Sequence, residues 1–261
     1  MRELLVIGMG PGHPDQVTVQ AAAALNRVDV FFRIDKGDAR SGLNAARDEI
    51  LARHVSHARY RVVDVPEPPR DRSESLDRAG YEGAVADWHQ ARAELIAAAI
   101  AAELGPDGVG AFLVWGDPSV YDSMLRIIER VRRIASVEFE YAVIPGVTSV
   151  QALAAAHRLP LNRIGEPIHI TPARRIADGL PDGLDSVVVM LDRGFTAAGI
   201  DEPSLRVFWG AYLSTEDEVL IAGPLGEVAD QITRTRSELR ERHGWIMDTY
   251  LLRREPQVPD E

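Results

Sequence analysis

Ten residues near the amino terminus, Val6-Ile7-Gly8-Met9-Gly10-Pro11-Gly12-His13-Pro14-Asp15, close an apolar run with three glycines at alternate positions. Glycine at a strand end lets the backbone turn sharply and lets a ligand approach it closely. A dinucleotide-binding turn needs Gly-x-Gly-x-x-Gly opening directly into a helix whose free N–H groups cradle pyrophosphate. Here the third glycine falls one position early, at Gly12, and His13 stands in the required place. Pro11 and Pro14 also remove two N–H donors. The pattern predicts a loop built for a close, largely neutral ligand. Taken alone, it also fits an ordinary glycine-rich turn.

Two later clusters share this design. Trp115-Gly116-Asp117-Pro118-Ser119-Val120-Tyr121 follows a continuous apolar run, Val109 to Trp115, that reads as a strand buried on both faces. Its position is the carboxyl end of a strand, where open α/β sheets place ligands. Gly116 permits close approach and Asp117 offers a carboxylate, although Gly-Asp-Pro is also common turn chemistry. Val143-Ile144-Pro145-Gly146-Val147-Thr148-Ser149 is again a strand end and a Pro-Gly turn, followed by hydroxyls that can cap a helix.

Around these loops the chain alternates strand and helix. Leu4–Ile7 predicts a strand, 15–28 a helix capped by Asp15 or Thr18, and 29–34 a second strand. Helices are expected over 42–54, 88–104 and 123–134, with strands over 60–65, 109–115 and 138–144 and a proline-rich surface loop over 66–72. This alternation argues for a parallel sheet with crossover helices. Beyond it, 149–156 predicts a short helix and 168–171 and 186–191 strands. The segments 207–213 and 218–222 predict pairing strands, 225–242 a helix and 244–252 a last strand, so the second sheet should be mixed. We therefore expect two α/β domains, 1–146 and 147–261, and a frayed tail after Arg253.

Composition narrows the function classes. The 261 residues are 46% hydrophobic and 26% charged, enough for a normal core and for solubility. The chain contains no cysteine, so it has no disulfide framework and no thiolate metal site. A formal net charge of -11 argues against a broad basic surface for nucleic acid. No apolar run reaches membrane-spanning length, and the first residues carry no secretory pattern, so a cytoplasmic protein is expected.

Taken together, in this order and spacing, the three strand-end loops resemble the tetrapyrrole methylases, which use S-adenosylmethionine to methylate uroporphyrinogen and the precorrins. The resemblance extends to Val187–Leu191 and to the 218–223 segment. It implies two α/β domains with the cofactor in the cleft between them, S-adenosylhomocysteine as product, and a homodimer. It places Pro11, Trp115, Gly116, Asp117, Val120, Thr148 and Ser149 against the cofactor, with Met190 on the adenine side and Ala211, Tyr212 and Leu213 near a further backbone contact. Four stretches, 34–37, 40–90, 115–123 and 190–194, are most similar to the deacetylating branch. Most relatives have two glycines before the aspartate and an aromatic after the proline. This chain has Trp115 and Ser119, a departure shared with that branch. The implied reaction is methylation of C1 of precorrin-5 with loss of an acetyl fragment as acetate.

Such a methyl transfer asks the protein for placement and exclusion of water, because the electron-rich macrocycle is the nucleophile. Loss of acetate asks in addition for a general base and a donor to the oxyanion. Asp117, Asp35 and Tyr121 are the leading candidates, with Asp122, His169 and Asp192 behind them. A salt bridge to Lys36 or to an arginine is the plainer account of Asp35, and a structural role that of His169. The many carboxylates of a precorrin call for arginine forks, and Arg33, Arg174, Arg175 and Arg193 lie near strand ends or loops. Rival readings are another precorrin methylase acting at C11, C17 or C20, and an NAD-dependent oxidoreductase with Asp29 or Asp35 on the ribose. A nucleotide-binding module without turnover is a third.

Overall fold

A computed structural model describes residues 1–35, 41–69, 78–134 and 137–255, without the side chains of Asp35, 41–43 and 78–82. Backbone packing divides the chain into two units, Met1–Val147 and Thr148–Glu261.

The first unit runs β1 (Arg2–Gly8), α1 (Val19–Leu25), β2 (Val30–Asp35), α2 (Ser41–His54), β3 (Arg61–Pro66), α3 (Arg78–Glu103), β4 (Val109–Val114), α4 (Met124–Arg133) and β5 (Phe139–Ile144). Its sheet has the order β3-β2-β4-β1-β5, with every pair parallel. The uninterrupted apolar run of β1 suits an interior strand with both faces covered. Leu4 and Val6 pack with α3 and α4, while Leu5 and Ile7 pack with α1 and α2. This is the layered arrangement that parallel strands require.

The second unit runs α5 (Ser149–His157), β6 (His169–Pro172), β7 (Ser186–Met190), β8 (Leu205–Ala211), β9 (Val219–Pro224), α6 (Leu225–His243) and β10 (Asp248–Arg254). Its order is β6-β7-β10-β8-β9; β6 is parallel to β7 and the other pairs are antiparallel. Leu225, Ile232 and Leu239 of α6 cover one face, and Val150 and Leu153 of α5 belong to the cluster on the other. The mixed sheet and the pairing of the 207–213 and 218–222 segments agree with the sequence.

Three boundaries differ from expectation. Thr18, not Asp15, caps α1 by accepting from the Ala21 N–H at 3.0 Å. Pro14–Gln16 forms a separate single turn before it. Helix α3 starts ten residues before Trp88, because Gly80 and Gly83 dilute the helical signal there. Gly244 belongs to α6 as its left-handed cap (φ 74°) rather than to the last strand, which starts at Asp248. Residues 70–72 of the expected surface loop, Lys36-Gly37 and the tail from 256 lie outside the described residues.

A Cβ on Gly83 would meet nothing within 4 Å. Gly83→Ala should therefore raise unfolding stability by roughly 0.5–1 kcal/mol, read from denaturant midpoints.

Candidate functional site: three strand ends joined by glycine

Strands β4, β1 and β5 are neighbours, and Gly8 pairs with Val114 while Ile7 pairs with Ile144. The strands are parallel and end level, so the three motif loops leave one edge of the sheet together. They are joined backbone to backbone. The Gly116 N–H donates to the Gly10 carbonyl at 2.9 Å and the Gly10 N–H to that of Gly116 at 3.3 Å. A Cβ on Gly8 would lie 2.6 Å from the Gly146 nitrogen. Gly10 (φ +81°) and Gly116 (φ +66°) hold backbone angles that a side chain would strain. Thr18 Oγ1, besides capping α1, donates to the Pro145 carbonyl at 3.4 Å.

Asp117 ties two of these loops. One carboxylate oxygen accepts from the Ser119 N–H at 2.8 Å and from the Ser119 hydroxyl; the other accepts from the Gly146 N–H at 2.8 Å. Burial pushes this carboxyl upward, but the Ser119 hydroxyl, the Gly146 N–H and the Ser119 N–H together hold it below the ordinary carboxylate value. Both oxygens are thus engaged in loop geometry. A folded pKa below the unfolded one contributes stability above the ordinary carboxylate range, lost as pH falls through the folded value. Asp117→Asn turns one acceptor into a donor facing N–H groups. It should cost about 1–3 kcal/mol at neutral pH and flatten the acid limb of the stability curve below roughly pH 4, seen by urea titration at several pH values.

The other predicted residues of this unit divide clearly. Pro11 is buried within its loop, Trp115 and Val120 are half-buried, and the Trp115 indole N–H is buried with no hydrogen-bond partner. Tyr121 is 44% exposed in a left-handed conformation (φ 51°). Asp35 ends β2 at the same sheet edge, and its side chain lies outside the described residues. Arg33 has its fork on Asp64, at 2.6 and 2.9 Å. Asp122 accepts from the Met124 N–H at 2.5 Å at the start of α4. Asp29 precedes β2, at the opposite edge of the sheet, and accepts from the Val109 N–H at 2.8 Å. That place removes it from any ribose.

In the second unit Thr148 caps α5 in a reciprocal capping box with Gln151, and Ser149 is the first helical residue. Met190 ends β7 half-buried, followed by exposed Leu191 in a left-handed conformation (φ 56°). Ala211 ends β8, Tyr212 and Leu213 follow it, and all three are buried. The Tyr212 hydroxyl donates to the Trp245 carbonyl at 2.5 Å, and burial, with Asp217 and Asp248 nearby, pushes its pKa up to about 12. Arg174 and Arg175 are exposed in a short turn directly after β6, and Arg193 is exposed after β7. His169 lies half-buried in β6. The Asp192 carboxylate accepts from Gly194, Thr196 and Tyr250, so it shapes its own loop. Arg236 and Asp248, absent from the sequence-based candidates, form a buried pair beneath that loop. The available signal was helical spacing, which puts Arg236 in the same stripe as Ile232 and Leu239.

The model of the Tetrapyrrole (Corrin/Porphyrin) Methylases matches residues 3–229. The chain belongs to the tetrapyrrole methylases. Within that family it is 46% identical over 254 residues to a protein named precorrin-6A synthase [deacetylating] from Sinorhizobium sp, covering 97% of this chain and 96% of the relative. A precorrin-2 C(20)-methyltransferase from Sinorhizobium sp is 30% identical over 67% of this chain and 69% of its own length. Among solved structures, a protein described as cobalamin synthesis related (CobF), from Corynebacterium diphtheriae, superposes with TM-score 0.84 at 38% identity, covering 97% of this chain and 99% of that one. The methylase fold itself is shared with a cobalt precorrin-4 methyltransferase (CbiF) at TM-score 0.58 and 18% identity, covering 96% of this chain and 94% of that one.

Proposed function

We propose that this tetrapyrrole methylase methylates C1 of precorrin-5 using S-adenosylmethionine and releases the acetyl fragment as acetate, giving precorrin-6A. The observation that carries the reading is the end-to-end match to a deacetylating relative, at 46% identity. The C(20) relative matches less of the chain and less closely.

The strand-end loops suit the cofactor. The glycine backbones admit close approach, Pro11 presents no N–H, and the buried Trp115 indole N–H awaits an acceptor. When bound, S-adenosylmethionine supplies an electrophilic methyl group on a sulfonium. Pro11, Trp115, Gly116, Val120, Thr148, Ser149, Met190 and Ala211–Leu213 would hold it, and S-adenosylhomocysteine would leave. Asp117 serves this reading by fixing the β4 and β5 loops on one another, since both of its oxygens accept hydrogen bonds within the unit.

For acetate release, a base must take a proton from the attacking water and a donor must meet the carbonyl oxygen. We assign these tasks to Asp35, which ends β2, and Tyr121, in the loop after β4. Arg174, Arg175 and Arg193 are exposed and provide forks for substrate carboxylates. At Arg33 a substrate carboxylate would compete with Asp64. We further propose a cytoplasmic homodimer, on the strength of the family. No helix among the described residues is long and apolar enough to cross a membrane.

The test is anaerobic incubation of the protein with precorrin-5 and S-adenosylmethionine, following macrocycle mass and acetate together. One methyl gained per acetate released is the expected result. A methyl without acetate moves the reaction to another ring position, as in the C(20) relative. No methyl gained overturns the reading.

A further inference from the structure

Helix α6 buries Leu225, Ile232, Arg236 and Leu239 along one stripe, and the arginine among them is only 6% exposed. A charge in that place has to be fully answered. Arg236 Nε donates to Asp248 at 2.8 Å, and Asp248 also accepts from the Trp209 indole N–H at 3.0 Å. The two terminal guanidinium nitrogens reach the loop after β7, and Nη2 also keeps a 3.3 Å bond to the second Asp248 oxygen. One donates to the carbonyl of Arg193 at 2.7 Å and the other to that of Asp192 at 2.5 Å. The same loop is held from within by Asp192, which takes N–H bonds from Gly194 at 3.0 Å and Thr196 at 2.7 Å, and the Tyr250 hydroxyl at 2.6 Å. A short backbone segment is thus fixed at two successive carbonyls, while the side chain of Arg193 between them faces solvent.

Stability alone does not call for this arrangement, because apolar residues of similar volume fill such a position at least as well as a buried ion pair. What a planar fork adds is direction. It grips two carbonyls at set angles while its third nitrogen is anchored, which an ammonium cannot reproduce. We propose that Arg236, held by Asp248, is a positioning residue that sets the backbone on either side of Arg193 and so aims the Arg193 guanidinium at a carboxylate of the tetrapyrrole substrate. The inference rests on the reading of Arg193 as a substrate contact.

The experiment is a mutant cycle on the full chain with Arg193→Gln, Arg236→Lys and the double variant. KM and kcat for precorrin-5 are measured at saturating S-adenosylmethionine. Asp248→Glu, which keeps the charge and shifts the anchor, is run in parallel in case Arg236→Lys fails to fold. Loss of one charge-assisted carboxylate contact should raise KM about tenfold in Arg193→Gln. Arg236→Lys and Asp248→Glu should each raise KM several-fold in the wild-type background and less than twofold in the Arg193→Gln background, with kcat within about threefold throughout. The same KM factor in both backgrounds would show that Arg236 acts on the fold and not through Arg193, and would overturn the proposal. An unchanged KM in Arg193→Gln overturns the Arg193 reading beneath it. Absence of turnover in the wild-type chain overturns the methylation reading instead, so the failures are distinguishable.

Discussion

Gly146→Ala is expected to destabilise the first unit by at least about 3 kcal/mol and to weaken S-adenosylhomocysteine binding tenfold or more. A Cβ at this position would lie 2.2 Å from the Gly116 carbonyl oxygen and 2.9 Å from the Gly8 Cα. Both obstacles are backbone, so no rotamer change relieves the contact. Either the β5 loop lifts away from its neighbours or the strands shift register. Lifting the loop also withdraws the Gly146 N–H from Asp117 and leaves that carboxylate one donor short. Denaturant unfolding and calorimetric titration read the two effects separately. Gly105→Ala is the control: its Cβ would meet nothing within 4 Å, and its stability and ligand affinity should stay near wild type.

The second large effect belongs to the other unit. Asp248→Ala should cost about 3–5 kcal/mol, the penalty for leaving a buried charge without its partner. The side chains of Arg236 and Asp248 are 8% and 3% exposed, so water does not readily replace the lost carboxylate. The Trp209 indole N–H, on a fully buried ring, loses its acceptor in the same change. Urea unfolding of Asp248→Ala beside exposed Asp230→Ala measures this, and the latter should lie within about 0.5 kcal/mol of wild type.

Why so much of this was legible in the sequence is a matter of period and punctuation. The interior strands β1 and β4 of the first unit are apolar without alternation because both faces are covered, and the runs Leu4–Ile7 and 109–115 show that directly. The three motif loops were legible because glycine and proline at strand ends leave a chemical trace. The beginning of α3 was not, because Gly80 and Gly83 break helical propensity where packing overrides it. Among site residues, Asp117 reads as a carboxylate at a strand tip, but its donors lie two residues and twenty-nine residues away, and only folding brings Gly146 to it. Arg33 reads as an available cation until β3 sets Asp64 beside it. Arg236 does not stand out in the sequence, because it lies among Arg234, Arg240 and Arg242 in a helix whose composition looks like a solvated face.

The central strand of the second sheet is the last of its five strands in sequence order. Strand β10 lies between β7 and β8, so the sheet has no middle until Asp248–Arg254 is available. On the ribosome the two units therefore face different schedules. Every strand of the first sheet has been made once Ile144 has left the exit tunnel. The second must wait, with β7 and β8 each offering an unpaired edge, until Asp248–Arg254 has emerged as well. A nonsense codon or frameshift between Thr148 and Asp248 then yields a product whose first unit can be native while its second unit lacks its middle strand. Such a product is a target for quality control rather than a partly active enzyme.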